Sequence, residues 1–120
     1  MEEPLHYISI FDLSKLIKER KISPVEITEH LLGRIDAIDP QLKSYATVME
    51  ETALDQAKKA EEQIMLGNYL GLLHGVPIAV KDLFCTKSVR TTAGSKMLEN
   101  FIPTYESTIT KNLWNEGAFL

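Results

Sequence analysis

The chain has 120 residues, with 13 Lys and Arg against 17 Asp and Glu, which gives a formal net charge of -4 at pH 7. This balance argues against a general nucleic-acid-binding surface, because such surfaces carry an excess of basic side chains. Hydrophobic residues make up 44% and charged residues 25% of the sequence, proportions that are typical of a globular domain and exclude a disordered chain.

The same composition bears on the compartment. Cys85 is the sole cysteine, so no internal disulfide can form and we expect a reducing, cytoplasmic location. Met1 is followed by Glu2 and Glu3, the wrong charge for the start of a secretory signal. Residues 63–80 carry no charge but are broken by Gly, Asn and Pro, so we predict a loop leading into a buried strand and no membrane association.

Two serines predict the starts of the first two helices. Ser9, with Asp12 three residues later, is suited to cap a helix whose apolar face reaches Ile17. The run Ser23-Pro24-Val25-Glu26 combines an N-cap serine, a proline at the first helical position and a capping-box glutamate. The second helix is predicted to stop at Asp39-Pro40.

Strands and helices are predicted to alternate after that point. Residues 45–48 are predicted to form a short strand, followed by a third helix over about 51–66 with a narrow face of small residues. Residues 78–81 are predicted as a strand, 91–95 as a turn-rich loop and 108–116 as a helix. Residues 118–120 are predicted to begin another strand.

This order predicts an α/β fold, in which N-terminal helices precede the first strands of a sheet. A three-residue strand is an unusual natural terminus, because chain ends are normally polar and frayed. We therefore expect residues 1–120 to be the N-terminal part of one larger domain.

Lys81 is the leading candidate for chemistry. It ends the apolar run 76–80, and such a strand could carry its amine into a cleft, where desolvation would lower the amine's pKa and make it a base. The alternative is a solvated lysine or one that is paired with Asp82. The loop 91–95 is either a plain turn or a cleft wall beside Lys81.

Other candidates have weaker support. Cys85 lies near His74 and Lys81 in sequence, but free cysteines are commonly buried, and no activating geometry follows from sequence. His6, His30 and His74 are scattered without metal-ligand spacing, so we expect no metal site. Ser95 lacks the strand-turn-helix context of an exposed nucleophile.

Residues 73–82 (Leu-His-Gly-Val-Pro-Ile-Ala-Val-Lys-Asp) resemble the lysine strand of the amidase signature family. Further segments resemble the same family: residues 22–26, 34–36, 90–95, 101–103, 106–108 and 116–118. Within the family, residues 82–87 and 105–108 are most similar to the A subunits of the glutamyl-tRNA(Gln)/aspartyl-tRNA(Asn) amidotransferases. The resemblance implies the mixed-sheet α/β/α fold of these enzymes.

It also implies a Ser-cis-Ser-Lys mechanism, in which a serine attacks an amide carbonyl and a second serine passes the proton to the lysine matched by Lys81. Glutamine would be the source of ammonia. B- and C-type partner subunits would use the ammonia on tRNA-linked glutamate, with ATP and Mg acting in a partner and no cofactor in this chain. Contact with tRNA would be indirect.

The sequence departs from the family in one respect: it contains no Gly-Gly-Ser-Ser-Gly-Gly-like stretch. The resemblance places both serines after residue 120, so we expect this polypeptide to be inactive alone. Two alternatives stay open. One is a piece of a stand-alone amidase acting on small carboxamides, and the other is a non-catalytic interaction module.

Overall fold

Helices supply most of the regular structure in this computed structural model, which describes residues 4–120. The elements in chain order are a 3-10 turn at Leu5–Tyr7, α1 at Ile10–Lys18, α2 at Pro24–Leu42, α3 at Glu50–Met65, a 3-10 turn at Lys96–Leu98 and α4 at Thr108–Asn115. Residues 1–3, on which the expectation of no secretory signal rests, lie outside the described part of the chain.

The predicted starts of α1 and α2 are confirmed. The Ser9 hydroxyl accepts a hydrogen bond from the Asp12 backbone N–H at 3.1 Å, and the Ser23 hydroxyl accepts one from the Glu26 N–H at 3.0 Å. Each bond satisfies an amide that has no partner within the helix. Ser107 caps α4 in the same way, and the predicted range of that helix agrees to within one residue.

The predicted end of α2 is wrong. The helix continues through Pro40 to Leu42, and Lys43 then takes a left-handed conformation with φ 52°. A proline this close to a helix end removes one backbone hydrogen bond but leaves the last turn intact. Just after the helix, the Ser44 backbone N–H donates to the Asp39 carboxylate at 2.7 Å.

The predicted strands do not form within residues 4–120. Residues 45–48 are an exposed connection between α2 and α3. Residues 76–78 are extended, and one isolated parallel bridge joins Pro77 to Phe119. A β-strand needs a continuous ladder of backbone hydrogen bonds to a neighbouring strand. Within the described residues, the extended segment has one isolated bridge, so no strand is completed.

The uncharged stretch 63–80 is confirmed as a loop after the end of α3. It turns at Gly67 and Gly71, both with positive φ, and leads into the extended residues that precede Lys81. Across residues 4–120, no helix combines the length and apolar character that crossing a bilayer requires.

Two small apolar clusters form the core, and α2 and α3 pack against each other across it. The first joins α1, α2, α3 and the loop before Lys81 through Leu13, Ile17, Ile27, Ile64 and Val76. The second consists of Ala53, Ala57 and Phe119, so the predicted small face of α3 is confirmed as its buried face. Together these clusters fix the extended residues 76–78 between α3 and the end of the chain.

Candidate functional site around Lys81

Lys81 lies on the rim of a wide apolar depression with a volume of about 830 Å³, here named the open cleft. The cleft is bounded by the second half of α2, the connection 44–49, the extended segment 77–82 and Leu120. The structure thus places Lys81 beside a cleft, but its side chain is exposed to solvent. Its role as a base stays a prediction.

Asp82 connects the segment 77–82, which carries Lys81 and is here named the lysine segment, to the loop 91–95. Its backbone carbonyl accepts the Ala93 N–H at 2.7 Å, and its carboxylate accepts the Thr92 N–H at 2.8 Å. The second carboxylate oxygen accepts a short hydrogen bond from the Thr92 hydroxyl. Asp82 is therefore occupied by Thr92, and these bonds fix the residue next to Lys81 against the loop.

The loop 91–95 forms a turn, and its first residue, Thr91, lines the open cleft. Ala93 and Gly94 have φ values of 49° and 68°, which place both in the left-handed region. Thr91 and Thr92 are buried, and Thr91 lines the cleft. The turn is therefore confirmed, while the contact of the loop with the cleft is limited to Thr91.

His74 holds the start of the lysine segment in place. The Leu70 backbone N–H donates to its Nδ1 at 3.0 Å, so its Nε2 carries the proton and donates to the Gln63 Oε1 at 2.9 Å. Burial lowers the pKa of His74, which suits this neutral tautomer. A Cβ on Gly117 would lie 2.7 Å from the His74 ring, so only glycine lets the two segments approach this closely.

Next to the contact between His74 and Gly117, backbone hydrogen bonds join residues 75–78 to residues 117–119. The Gly75 N–H donates to the Gly117 carbonyl at 3.1 Å, and the Ile78 N–H donates to the Phe119 carbonyl at 2.8 Å. The Phe119 N–H donates to the Val76 carbonyl at 3.2 Å. These bonds set the register of the segment that ends in Lys81.

A buried polar cluster holds the start of α4 against Cys85. The fully buried Thr110 hydroxyl donates to the Glu106 carboxylate at 2.6 Å and lies 2.7 Å from the Ser107 hydroxyl. The Ser107 N–H donates to the Cys85 carbonyl at 2.7 Å. The sequence analysis missed Thr110, because a buried threonine gives no apolar signal.

Cys85 gains no support as a nucleophile. Its sulfur lies 3.3 Å from the Tyr105 hydroxyl, and the hydrogen bond with Cys85 raises the pKa of Tyr105. Both ring nitrogens of His74 are bonded to Gln63 and Leu70, so that imidazole is unavailable to Cys85 as a base.

Two of the scattered histidines do meet. His6 Nδ1 lies 3.0 Å from His30 Nε2, and their rings stack with the centroids 5.3 Å apart. The pair joins the N-terminal 3-10 turn to α2, a contact across 24 positions that spacing could not reveal. No group of three or more candidate metal ligands occurs within the described residues.

Comparison with known proteins identifies related sequences. A family model described as Amidase matches residues 26–120. The A subunit of the glutamyl-tRNA(Gln) amidotransferase from Acinetobacter baumannii is 50% identical over 107 residues, which is 89% of this chain and 22% of the relative. The corresponding protein of Trichodesmium erythraeum is 46% identical over 112 residues, covering 93% of this chain and 23% of the relative.

Solved structures show the same fold. A bacterial aryl acylamidase of the amidase signature family superposes with a TM-score of 0.89 at 30% identity, over 98% of this chain and 25% of its own. A peptide amidase superposes with a TM-score of 0.89 at 26% identity, over 97% of this chain and 24% of its own. The predicted fold class is confirmed, and the chain spans about a quarter of the length of these proteins.

Proposed function

Since the chain belongs to the amidase family, we propose that it supplies the lysine-bearing part of an enzyme that cleaves a carbon–nitrogen amide bond. One observation carries the proposal: Lys81 lies at the rim of the open cleft, next to the bonded pair Asp82 and Thr92. The chain lacks the tandem-serine stretch, so the nucleophile must come from another part of the enzyme.

In the proposed mechanism, Lys81 accepts a proton through its uncharged amine. A serine hydroxyl attacks the amide carbonyl, and a bridging serine passes the displaced proton to the Lys81 Nζ. The departing amide nitrogen takes that proton as the carbon–nitrogen bond breaks and leaves as ammonia, and water later hydrolyses the acyl-enzyme. Base catalysis near neutral pH requires that part of the amine be unprotonated, which a dry environment favours.

The described residues provide one side of such an environment. Ala79 and Val80 precede the lysine and line the open cleft together with Phe84. Covering this apolar surface would remove water from the Lys81 amine. The hydrogen bonds from Asp82 to the loop 91–95 would meanwhile restrict the movement of the lysine backbone.

A chimaera tests the proposal. This chain replaces the matching N-terminal region of the Acinetobacter baumannii relative, and ammonia release from glutamine is measured with and without Lys81→Ala. We expect a loss of about 10²–10⁴-fold in turnover. Lys87→Ala, which removes another exposed lysine six positions away, serves as the matched control and should leave turnover within about twofold.

A variant that keeps near-normal turnover after Lys81→Ala would remove this amine from the mechanism. The same substitution at the aligned lysine of the unmodified relative provides a second arm, so an inactive chimaera does not leave the role of the lysine undecided. Thermal unfolding of each variant separates loss of chemistry from loss of folding.

We further propose an amidotransferase A-type component over a stand-alone amidase, because the A-type relatives are 46–50% identical and the amidase structures 26–30%. The proposed enzyme then works in the cytoplasm with B- and C-type subunits. It takes ammonia from glutamine, while ATP and Mg act in a partner and tRNA is bound indirectly. In the chimaera, preference for a small carboxamide over glutamine would favour the stand-alone alternative.

The third candidate is a non-catalytic interaction module. It would predict that the chimaera folds and assembles but gains no hydrolysis, while the unmodified relative loses activity when its aligned lysine is replaced.

A further inference from the structure

His6 and His30 join the N-terminal 3-10 turn at Leu5–Tyr7 to α2, and the proposed mechanism makes no use of this contact. The facing nitrogens, Nδ1 of His6 and Nε2 of His30, lie 3.0 Å apart, and the two rings stack within 11° of parallel. Both side chains are half-buried, so protons from the solvent can reach them. The attachment of the turn therefore includes a hydrogen bond between two titratable rings.

This hydrogen bond depends on the number of protons that the pair carries. One of the two facing nitrogens must offer a free lone pair. That condition holds when both imidazoles are neutral and when only one is protonated. When both are protonated, each facing nitrogen carries a hydrogen, so the bond is lost and two positive charges face each other. The contact is thus attractive at neutral pH and repulsive in acid.

The charged groups around the pair add to the repulsion. Desolvation, and then the charges of Arg34 and His30, lower the pKa of His6. The Arg34 guanidinium lies 5.7 Å from the centre of the Tyr7 ring, and that phenol stays neutral below pH 8. Glu29, which precedes His30 in the sequence, is exposed to solvent. The charges that act on His6 are therefore basic, and none of them stabilises a second proton.

The open cleft, which His6 also lines, supplies no free acid to the pair. Both of its carboxylates already accept hydrogen bonds from backbone amides, Asp39 from Ser44 and Asp82 from Thr92. The basic groups along the cleft are Arg34, Lys81 and Arg90. Protonation of the pair therefore places further positive charge beside a cleft whose acids are occupied.

Few other contacts hold the turn against α2. No residue of the turn is fully buried, although Leu5 and Ile8 pack against the edge of the first core cluster. The Tyr7 N–H donates to the Pro4 carbonyl at 2.8 Å, a bond within the turn that does not attach it to α2. Ser9 caps α1 directly after Ile8, so α1 can persist when the turn moves.

We propose that His6 and His30 form a pH-operated latch, which holds residues 4–8 on α2 at neutral pH and releases them when both rings are protonated. In a released turn, His6 would regain the ordinary pKa of about 6.5. Below that pH the released form binds more protons than the docked form, so acid favours release. Release would withdraw His6 from the wall of the open cleft. The latch does not depend on a catalytic role for Lys81.

NMR relaxation of the ¹⁵N-labelled chain at pH 7.5 and pH 5.0 tests the latch. The backbone order parameters of residues 5–8 should fall from about 0.85 to below about 0.6 at the lower pH, while those of α2 and α3 stay unchanged. In His30→Gln, which keeps a hydrogen-bonding side chain but cannot become charged, the fall should be less than half as large.

The matched control is Glu29→Gln, which removes an exposed titratable group beside His30 and leaves the pair intact. Residues 5–8 should be released in this variant as they are in the parent. Labelling the histidine rings extends the measurement to the chimaera, so the result does not depend on the isolated chain. There the titration midpoint of His6 should move to higher pH in His30→Gln, because a neighbouring positive charge is removed.

Three results would overturn the proposal. Residues 5–8 could stay as ordered at pH 5.0 as at pH 7.5, His30→Gln could release them as fully as the parent does, or α2 could lose its order at the same pH. The last result would show general unfolding in acid, with no local release.

Discussion

Asp82 and Thr92 are joined by two hydrogen bonds, in which the backbone amide and the side-chain hydroxyl of the threonine both donate to one carboxylate. Ten positions separate the two residues in sequence. The pair links the lysine segment to the loop 91–95, so the position of Lys81 relative to the cleft wall depends on it. This contact also yields the first prediction.

Thr92→Val should lower the free energy of unfolding by about 1–3 kcal/mol, because a partly buried carboxylate oxygen loses its hydroxyl donor. Hydrogen exchange at the Ala93 amide, which donates to the Asp82 carbonyl, should become faster. Urea unfolding and amide exchange measure the two effects. The exposed Thr104→Val is the control, and an equal loss in both variants would show that the contact with Asp82 contributes nothing specific.

Thr110→Val should also lower the free energy of unfolding by about 1–3 kcal/mol, since the isosteric change leaves the Glu106 carboxylate without its buried hydroxyl donor. Thr108→Val, an exposed position on the same helix, should cost less than about 0.5 kcal/mol. Urea titration of both variants tests this difference. If Thr110→Val costs no more than the control, the polar cluster does not anchor α4.

His74 predicts a pH dependence of stability. Burial lowers its pKa in the folded chain, while the unfolded chain keeps a value of about 6.5. Below pH 6.5 the unfolded chain therefore binds a proton that the folded chain does not bind. The free energy of unfolding should be highest above that pH and decrease towards the folded-state pKa, by at most about 1.4 kcal/mol per pH unit.

Urea unfolding between pH 7.5 and 5 measures this slope in the parent chain and in His74→Gln, which should lose most of it. The double variant His6→Gln/His30→Gln should keep the contribution of His74 and lose that of His6, whose pKa is also lowered in the folded chain. An unchanged slope in His74→Gln would mean that another group titrates in this window.

Ala93→Gly should stabilise the chain by about 0.5–1 kcal/mol. Ala93 has φ 49°, a left-handed conformation that is costly for a residue with a Cβ and readily adopted by glycine. The control is Ala37→Gly, at an exposed position within α2, which should destabilise by about 1 kcal/mol. Thermal unfolding compares them, and a loss of stability in both would show that Ala93 is not strained.

The elements that sequence analysis predicted correctly depend on interactions between residues that lie close together in the sequence. A serine hydroxyl caps a helix by reaching an amide three positions away, so Ser9 and Ser23 were sufficient to place α1 and α2. The buried face of α3 follows from apolar spacing along one helix. The predicted end of α2 was wrong because Pro40 lies in the last turn, where its missing N–H removes only one helix hydrogen bond.

Residues 45–48 and 78–81 have the composition of strands, but a strand is completed by a neighbour that composition does not supply. Tertiary structure alone decided that Pro77 meets Phe119, that His6 meets His30, and that Lys81 stays exposed at a cleft rim. Helix caps and the apolar faces of helices are determined by residues a few positions apart, so they can be predicted from the sequence. Pairing between distant segments depends on how the whole chain packs, so only the tertiary structure decides it.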